Sequence, residues 1–132
     1  MTGVELGLER WHAVVATQDP GGLPAIIAED AVFHSPAVHA PQPGRDTVVA
    51  YLTAALRVLG PHFRYERSWR SDTGAVLEFF TLLEGREVQG VDIIEFTEDG
   101  LISDFTVLVR PQSALTKVIE HMSAELTRML AG

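Results

Sequence analysis

Few side chains in this sequence combine a titratable group with a position that could make it reactive, and Asp92 is the first of them. Side chains alternate in character from Glu87 to Thr97. This places Val88, Gly90, Asp92, Ile94 and Phe96 on one face of a strand. Asp92 is the only polar side chain on that face. If the face turns inward, desolvation raises its pKa and leaves a neutral acid able to donate a hydrogen bond. His34 is the second candidate, because imidazole titrates near neutral pH and suits a shuttling base. It adjoins Ser35 and is followed by His39 on a proline-rich stretch. Alternation points His34 away from Ser35 unless the strand bends. Glu78 and Asp104 are further strand carboxylates. Glu78 could pair with Asp92 if Val76, Phe80 and Leu82 face inward with it. The opposite face, Leu77, Phe79, Thr81 and Leu83, is more apolar and is expected inside, which leaves both carboxylates as solvated or interface charges.

Composition narrows the chemistry. The chain has 132 residues, 46% hydrophobic and 21% charged, and carries a formal charge of -8. One domain over 1–132 is expected. The negative charge disfavours nucleic acid and anionic membranes as partners. The lack of cysteine excludes thiolate catalysis, disulfides and cysteine-ligated metals. Five histidines are present, yet none forms an H-x-x-x-H or H-E-x-x-H pair. There is no phosphate-binding glycine loop and no G-x-S-x-G elbow. Neither a metal nor a cofactor is expected. Met1-Thr2-Gly3-Val4-Glu5 lacks the basic start and apolar run of a secretory leader, so a cytoplasmic protein is expected.

The elements that must position these groups follow from periodicity. Thr2 and Glu5 match a capping box, and Val4, Leu8, Trp11 and Val15 recur at helical spacing up to Asp19-Pro20-Gly21-Gly22. A short second helix is expected around Ala25–Ile27, then a strand over Ala31–Ser35 and a loop over Pro36–Gly44. Asp46 opens a third helix that buries Val48, Leu52, Ala55, Leu56 and Leu59. From Phe63 the period becomes two. Strands are expected to Arg70, over Ala75–Leu83, over Glu87–Thr97 and over Leu101–Val109, joined by short turns and therefore antiparallel. Pro111 begins a final amphipathic helix. The class is α+β.

This order resembles the nuclear transport factor 2-like superfamily, also called the SnoaL-like or ketosteroid-isomerase-like fold. The resemblance rests on Ala28-Glu29-Asp30-Ala31-Val32 before a proline-bearing loop and on Gly44-Arg45-Asp46 opening a helix. It also rests on the hairpin from Gly90-Val91-Asp92 through Glu98-Asp99-Gly100-Leu101-Ile102. It implies a conical α+β barrel, a curved antiparallel sheet packed on N-terminal helices, with an additional C-terminal helix. It further implies a mostly apolar pocket and a homodimer. Asp92, four residues before Phe96, resembles the protonated acid of ketosteroid isomerase. The isomerase's tyrosine position corresponds to Trp11 and its aspartate base to Ser35, so isomerase chemistry of that kind is not expected. The implied pocket is lined by Trp11, Val15, Phe33 and Ser35, together with Trp69, Phe96, Phe105 and Val107. The expected function is binding of a small apolar molecule, with cofactor-free acid–base chemistry by Asp92 and His34 if the protein is an enzyme. The alternatives are a non-catalytic ligand-binding protein and a dimerisation module of the same fold. The final helix either caps the pocket or extends the dimer.

Overall fold

The computed structural model describes residues 1–131. Helix α1, Gly3–Thr17, begins with the capping box: the Glu5 N–H donates to the Thr2 hydroxyl (3.1 Å), and the Thr2 N–H donates to the Glu5 carboxylate (3.3 Å). Val4, Leu8, Trp11 and Val14 form its buried face. Gln18, in the left-handed region at φ 55, ends it. The expected second helix is instead two single 3-10 turns, Pro20–Gly22 and Pro24–Ile26. Two prolines and a Gly-Gly pair allow no longer run, and the Asp19 carboxylate takes the Gly21 N–H at 2.9 Å. Ile27 therefore belongs to strand β1, Ile27–His34. The stretch read as loop contains a two-residue strand, β2 (Gln42–Pro43), paired antiparallel to β1. Helix α2 spans Arg45–Leu59.

Four longer strands follow: β3 (Arg64–Arg70), β4 (Gly74–Leu83), β5 (Arg86–Phe96) and β6 (Ile102–Arg110), then helix α3 (Gln112–Ala131). The sheet order is β2-β1-β6-β5-β4-β3. Strands β3 to β6 form an antiparallel meander, while β1 runs parallel to β6. This corrects the expected barrel. The sheet is mixed and open, with β2 and β3 as its two edges. Three helices occupy the space across which those edges would have to meet: α2 packs on β1 and β4, α1 on β5, and α3 on β4, β5 and β6. With two residues, β2 is also too short to carry the sheet round to β3.

The core lies between sheet and helices. Phe33, Phe79, Phe105, Leu77 and Ile94 from the sheet meet Leu8, Trp11 and Leu52 from the helices. The buried Thr81 hydroxyl donates to the Leu59 carbonyl at 2.5 Å, tying the end of α2 to β4. Ala114 and Val118 dock α3 against Phe79 and Val88.

Gly90 fits tightly into this arrangement. It pairs with Phe79 across β4–β5, and an added Cβ would lie 2.3 Å from the Phe79 ring and 2.6 Å from the Leu108 carbonyl oxygen. The ring covers the space that the glycine leaves. Gly90→Ala should lower stability by about 1–3 kcal/mol, the usual cost of overpacking, in denaturant unfolding. An unchanged midpoint would contradict this packing.

Candidate functional site

A cavity opens between α1, α2, α3 and the inner face of the sheet. A water-sized sphere moves through about 140 Å³ of it. Its walls are mainly apolar: Trp11 and Val15 from α1, Tyr51 and Leu56 from α2, Phe105 and Val107 from β6. The Phe33 and Tyr51 rings stack with centroids 4.7 Å apart, and Trp11 meets Phe105 edge-on at 5.1 Å. α3 adds Val118, Ile119, Met122 and Leu126, so the final helix is a wall of the cavity. The exposed residues Gln18, Val38 and Ser123 mark its rim.

Asp92 is the one acidic side chain among the lining residues. It comes from the middle of β5, on the inward face with Val88, Gly90, Ile94 and Phe96, and it is 5% exposed. Burial raises its pKa to about 7, opposed by a hydrogen bond from Tyr65. The Tyr65 hydroxyl donates to Asp92 Oδ2 at 2.5 Å. The Trp11 indole Nε1–H donates in turn to the Tyr65 oxygen at 3.0 Å. Burial and the neighbouring Asp92 charge push the Tyr65 hydroxyl well above its ordinary pKa, while the Trp11 hydrogen bond acts the other way. His12, one residue on from Trp11, stands edge-on to the Tyr65 ring at 5.7 Å. Burial and the Arg70 charge lower its pKa.

Of the residues singled out in the sequence, the structure brings Asp92, Trp11, Val15, Phe33, Ser35, Phe105 and Val107 to this cavity. Three others lie elsewhere. His34 follows Phe33 and Asp104 precedes Phe105, so both side chains point to the opposite face, where His34 Nε2 and Asp104 Oδ1 meet at 2.9 Å. His34 therefore does not line this cavity. Trp69 is 50% exposed, with the Arg67 guanidinium 5.3 Å from its ring centroid. The cause is a bulge in β3: Tyr65 pairs with Phe79 but Ser68 with Leu77, so two residues oppose Glu78. The extra residue sends Trp69 outward beside Val76. Phe96 is buried outside the cavity, its ring against α1, where a Cβ on Gly7 would lie 2.2 Å away.

Glu78 does not pair with Asp92. It is buried on the opposite face, where Arg67 holds it at 2.7 and 2.6 Å and Gln89 at 2.8 Å. The Arg67 hydrogen bonds take its pKa down to about 2. Tyr65 is the site residue that the sequence reading missed. It was visible only as one aromatic of an alternating strand, and its contact with Asp92 runs across β4. Among the described residues, no three His, Cys, Asp or Glu side chains group as a metal site.

Residues 8–105 match the family model of the SnoaL-like domain. The chain belongs to that family. It is similar to the crystal structure of a steroid delta-isomerase from Pseudomonas aeruginosa, with 38% identity, TM-score 0.94, and 100% of this chain and 97% of the other covered. It is also similar to an uncharacterized protein conserved in bacteria, with a cystatin-like fold, from Silicibacter pomeroyi DSS-3. There the identity is 34%, the TM-score 0.82, and the coverage 89% of this chain and 83% of the other. An NTF2-like protein of unknown function from Mesorhizobium loti shares the fold at 24% identity and TM-score 0.68, over 80% of this chain and 88% of the other. No curated protein matches.

The raised pKa of Asp92 makes stability depend on pH. The folded state holds the proton to about pH 7, whereas the unfolded chain releases it near the ordinary aspartate value. The stabilisation is complete below pH 4 and is lost as pH rises to 7. Relative to Asp92→Asn, the wild type should lose about 4 kcal/mol across that window and nothing further above pH 8. Urea unfolding of both proteins from pH 4 to 9 measures this. A constant difference would show an ordinary carboxylate at Asp92.

Proposed function

We propose that this SnoaL-like protein binds a compact apolar molecule bearing a carbonyl oxygen, and that neutral Asp92 is the polar anchor for that oxygen. The observation that carries this reading is one buried carboxyl group, the only acidic one among the lining residues, set in a mainly apolar cavity. Below pH 7 it donates a hydrogen bond; above pH 7 it only accepts. 1-Tetralone, an acceptor without a donor, should therefore bind about tenfold more weakly at pH 8.5 than at pH 5.5, the worth of one hydrogen bond. 2-Naphthol, which can donate, should resist that loss, and Asp92→Asn should flatten the pH profile of tetralone binding. Calorimetric titration of both probes tests this, and pH-independent tetralone binding by the wild type would remove Asp92 as the anchor.

A second reading adds catalysis. The similar Pseudomonas aeruginosa protein is described as a steroid delta-isomerase, and a group titrating near 7 suits proton transfer at neutral pH. In this reading ionised Asp92 takes a proton from the carbon beside a carbonyl and returns it to the same or a conjugated carbon, with no co-reactant. Incubating the protein with a steroid 3-ketone in D₂O and following deuterium by mass spectrometry decides between the two. Label entering a bound steroid 3-ketone, about 10²–10⁴-fold slower with Asp92→Asn, marks an enzyme. Binding without exchange marks a carrier or sensor.

The protein pairs with a second copy through the outer face of the sheet. Trp69, Leu82 and Leu108 are about half exposed there, beside the partly buried Val76, Val91 and Ile93. An apolar patch of this kind favours being covered. Light scattering should give twice the chain mass for the wild type and the monomer mass for Leu108→Glu. A monomeric wild type would exclude this arrangement.

A further inference from the structure

Resting on the reading of Asp92 as a donor, the structure assigns Trp11 and Tyr65 a positioning role: together they fix which Asp92 oxygen carries the proton and turn that oxygen to the ligand. The argument begins with the inventory of donors. An indole Nε1–H can only donate. Its bond to the Tyr65 oxygen, 3.0 Å long, therefore uses an acceptor position of the phenol. A phenolic hydrogen prefers the ring plane, where it has two places, and one of them now faces the Trp11 hydrogen. The other points to Asp92 Oδ2, 2.5 Å away. Oδ2 must accept in either protonation state, so an acidic proton resides on Oδ1.

The surroundings leave Oδ1 for the cavity. Among the described residues, no protein group hydrogen-bonds Oδ1, and no buried side-chain oxygen is both sealed and unpaired. Asp92 lines the cavity, and Oδ1, neither paired nor sealed, is the oxygen left to face it. Reversing the chain would require Asp92 Oδ2 to donate to a tyrosine oxygen that already accepts from Trp11. The phenolic hydrogen would then be left without a partner in a buried place, which is costly. The direction is thus set at α1, two hydrogen bonds from the ligand. Trp11 also forms part of the apolar wall, and these two uses of one side chain are separable.

Other titratable groups near this chain are few. Tyr51 of α2 shares the cavity wall, and His12 of α1 faces the Tyr65 ring with Arg70 of β3 beside it. The residues that β6 and α3 turn to the cavity, Phe105, Val107, Ile119, Met122 and Ser123 among them, carry no charge.

Two readouts on the ligand-free protein test the assignment, so it stands or falls apart from any binding or turnover. The first is the infrared carbonyl band of protonated Asp92 at pH 5, isolated by subtracting the Asp92→Asn spectrum. With the proton on Oδ1, the carbonyl oxygen is Oδ2, which accepts from Tyr65, and the band lies low. It should move up in Tyr65→Phe, and a second, higher band should emerge in Trp11→Phe, which keeps an aromatic wall. A wild-type band already at the free-carbonyl position, or an unchanged band in Trp11→Phe, overturns the proposal. The second readout is the carbon-13 titration of the Asp92 carboxyl. Tyr65→Phe should raise its midpoint by about one to two units, the worth of a hydrogen bond to a charge. Trp11→Phe should raise it by about a few tenths of a unit through weaker donation by Tyr65. His12→Asn, the control, should leave both readouts in place. If Trp11→Phe does not fold, the wild type still answers. Its Trp11 Nε1–H resonance should titrate with the Asp92 midpoint, and a flat resonance overturns the coupling. A wild-type midpoint near 4 would end the binding model, and the bands, then read at pH 3, with the Trp11 and Tyr65 shifts would still decide this one.

Discussion

A carboxyl group beneath an apolar cavity must either lose its charge or have its oxygens met, because an unpaired buried charge costs several kcal/mol. Asp92 does part of each. Burial carries its pKa to about 7, and Tyr65 satisfies one oxygen. The surrounding structure follows from this compromise. Gly90 lets the Phe79 ring lie close to β5, in the row of paired residues that runs from Tyr65 through Phe79 to Gly90. Trp11 is placed by the buried face of α1, whose start is held by the Thr2–Glu5 capping box. The second oxygen has no hydrogen-bond partner among the described residues.

The bulge in β3 makes this possible. By absorbing one residue between Tyr65 and Ser68, it turns Tyr65 inward and Arg67 outward on the same short strand. Each then meets the carboxylate of its own face, Tyr65 with Asp92 inside and Arg67 with Glu78 outside. Asp92, with a neutral phenol as partner, is pushed up to about 7, while Glu78, with a guanidinium, falls to about 2. Burial is the main cause at Asp92, whereas at Glu78 the hydrogen bonds from Arg67 and Gln89 outweigh it. One face of the sheet thereby holds a group that titrates near neutral pH, and the other a permanent ion pair flanked by apolar side chains.

Local periodicity made much of this legible. Alternation in β5 grouped Asp92 with four apolar or small residues, and in β4 it separated Glu78 from the more apolar face of Leu77, Phe79 and Thr81; it did not by itself say which face is inside. Helix α1 could be read from its capping box and α2 from its buried stripe. What could not be read depended on pairing between distant segments. The parallel pairing of β1 with β6 and the two-residue β2 leave no pattern in a single strand. The open sheet, in place of a barrel, follows from how three helices share one face. Trp69 was misplaced because a bulge changes phase without changing composition. Tyr65 was missed for a related reason: its role is defined by a contact 27 residues away across β4.

The two halves of the site have different origins in the chain. Trp11, Tyr65 and Asp92 all fall within residues 8–105, the span that matches the SnoaL-like family model. Helix α3 lies beyond that span, yet Val118, Ile119, Met122 and Leu126 close the cavity opposite the sheet. The polar chemistry is therefore carried by the family segment, and much of the apolar shape by a helix outside it. An apolar wall discriminates between ligands through volume, at roughly 1–3 kcal/mol per methylene, whereas in the proposed binding mode one hydrogen bond to Asp92 would fix orientation. Changes along α3 can thus retune which molecule fits without disturbing the Trp11–Tyr65–Asp92 chain. This separation gives a physical reason why membership in the family does not by itself determine the ligand.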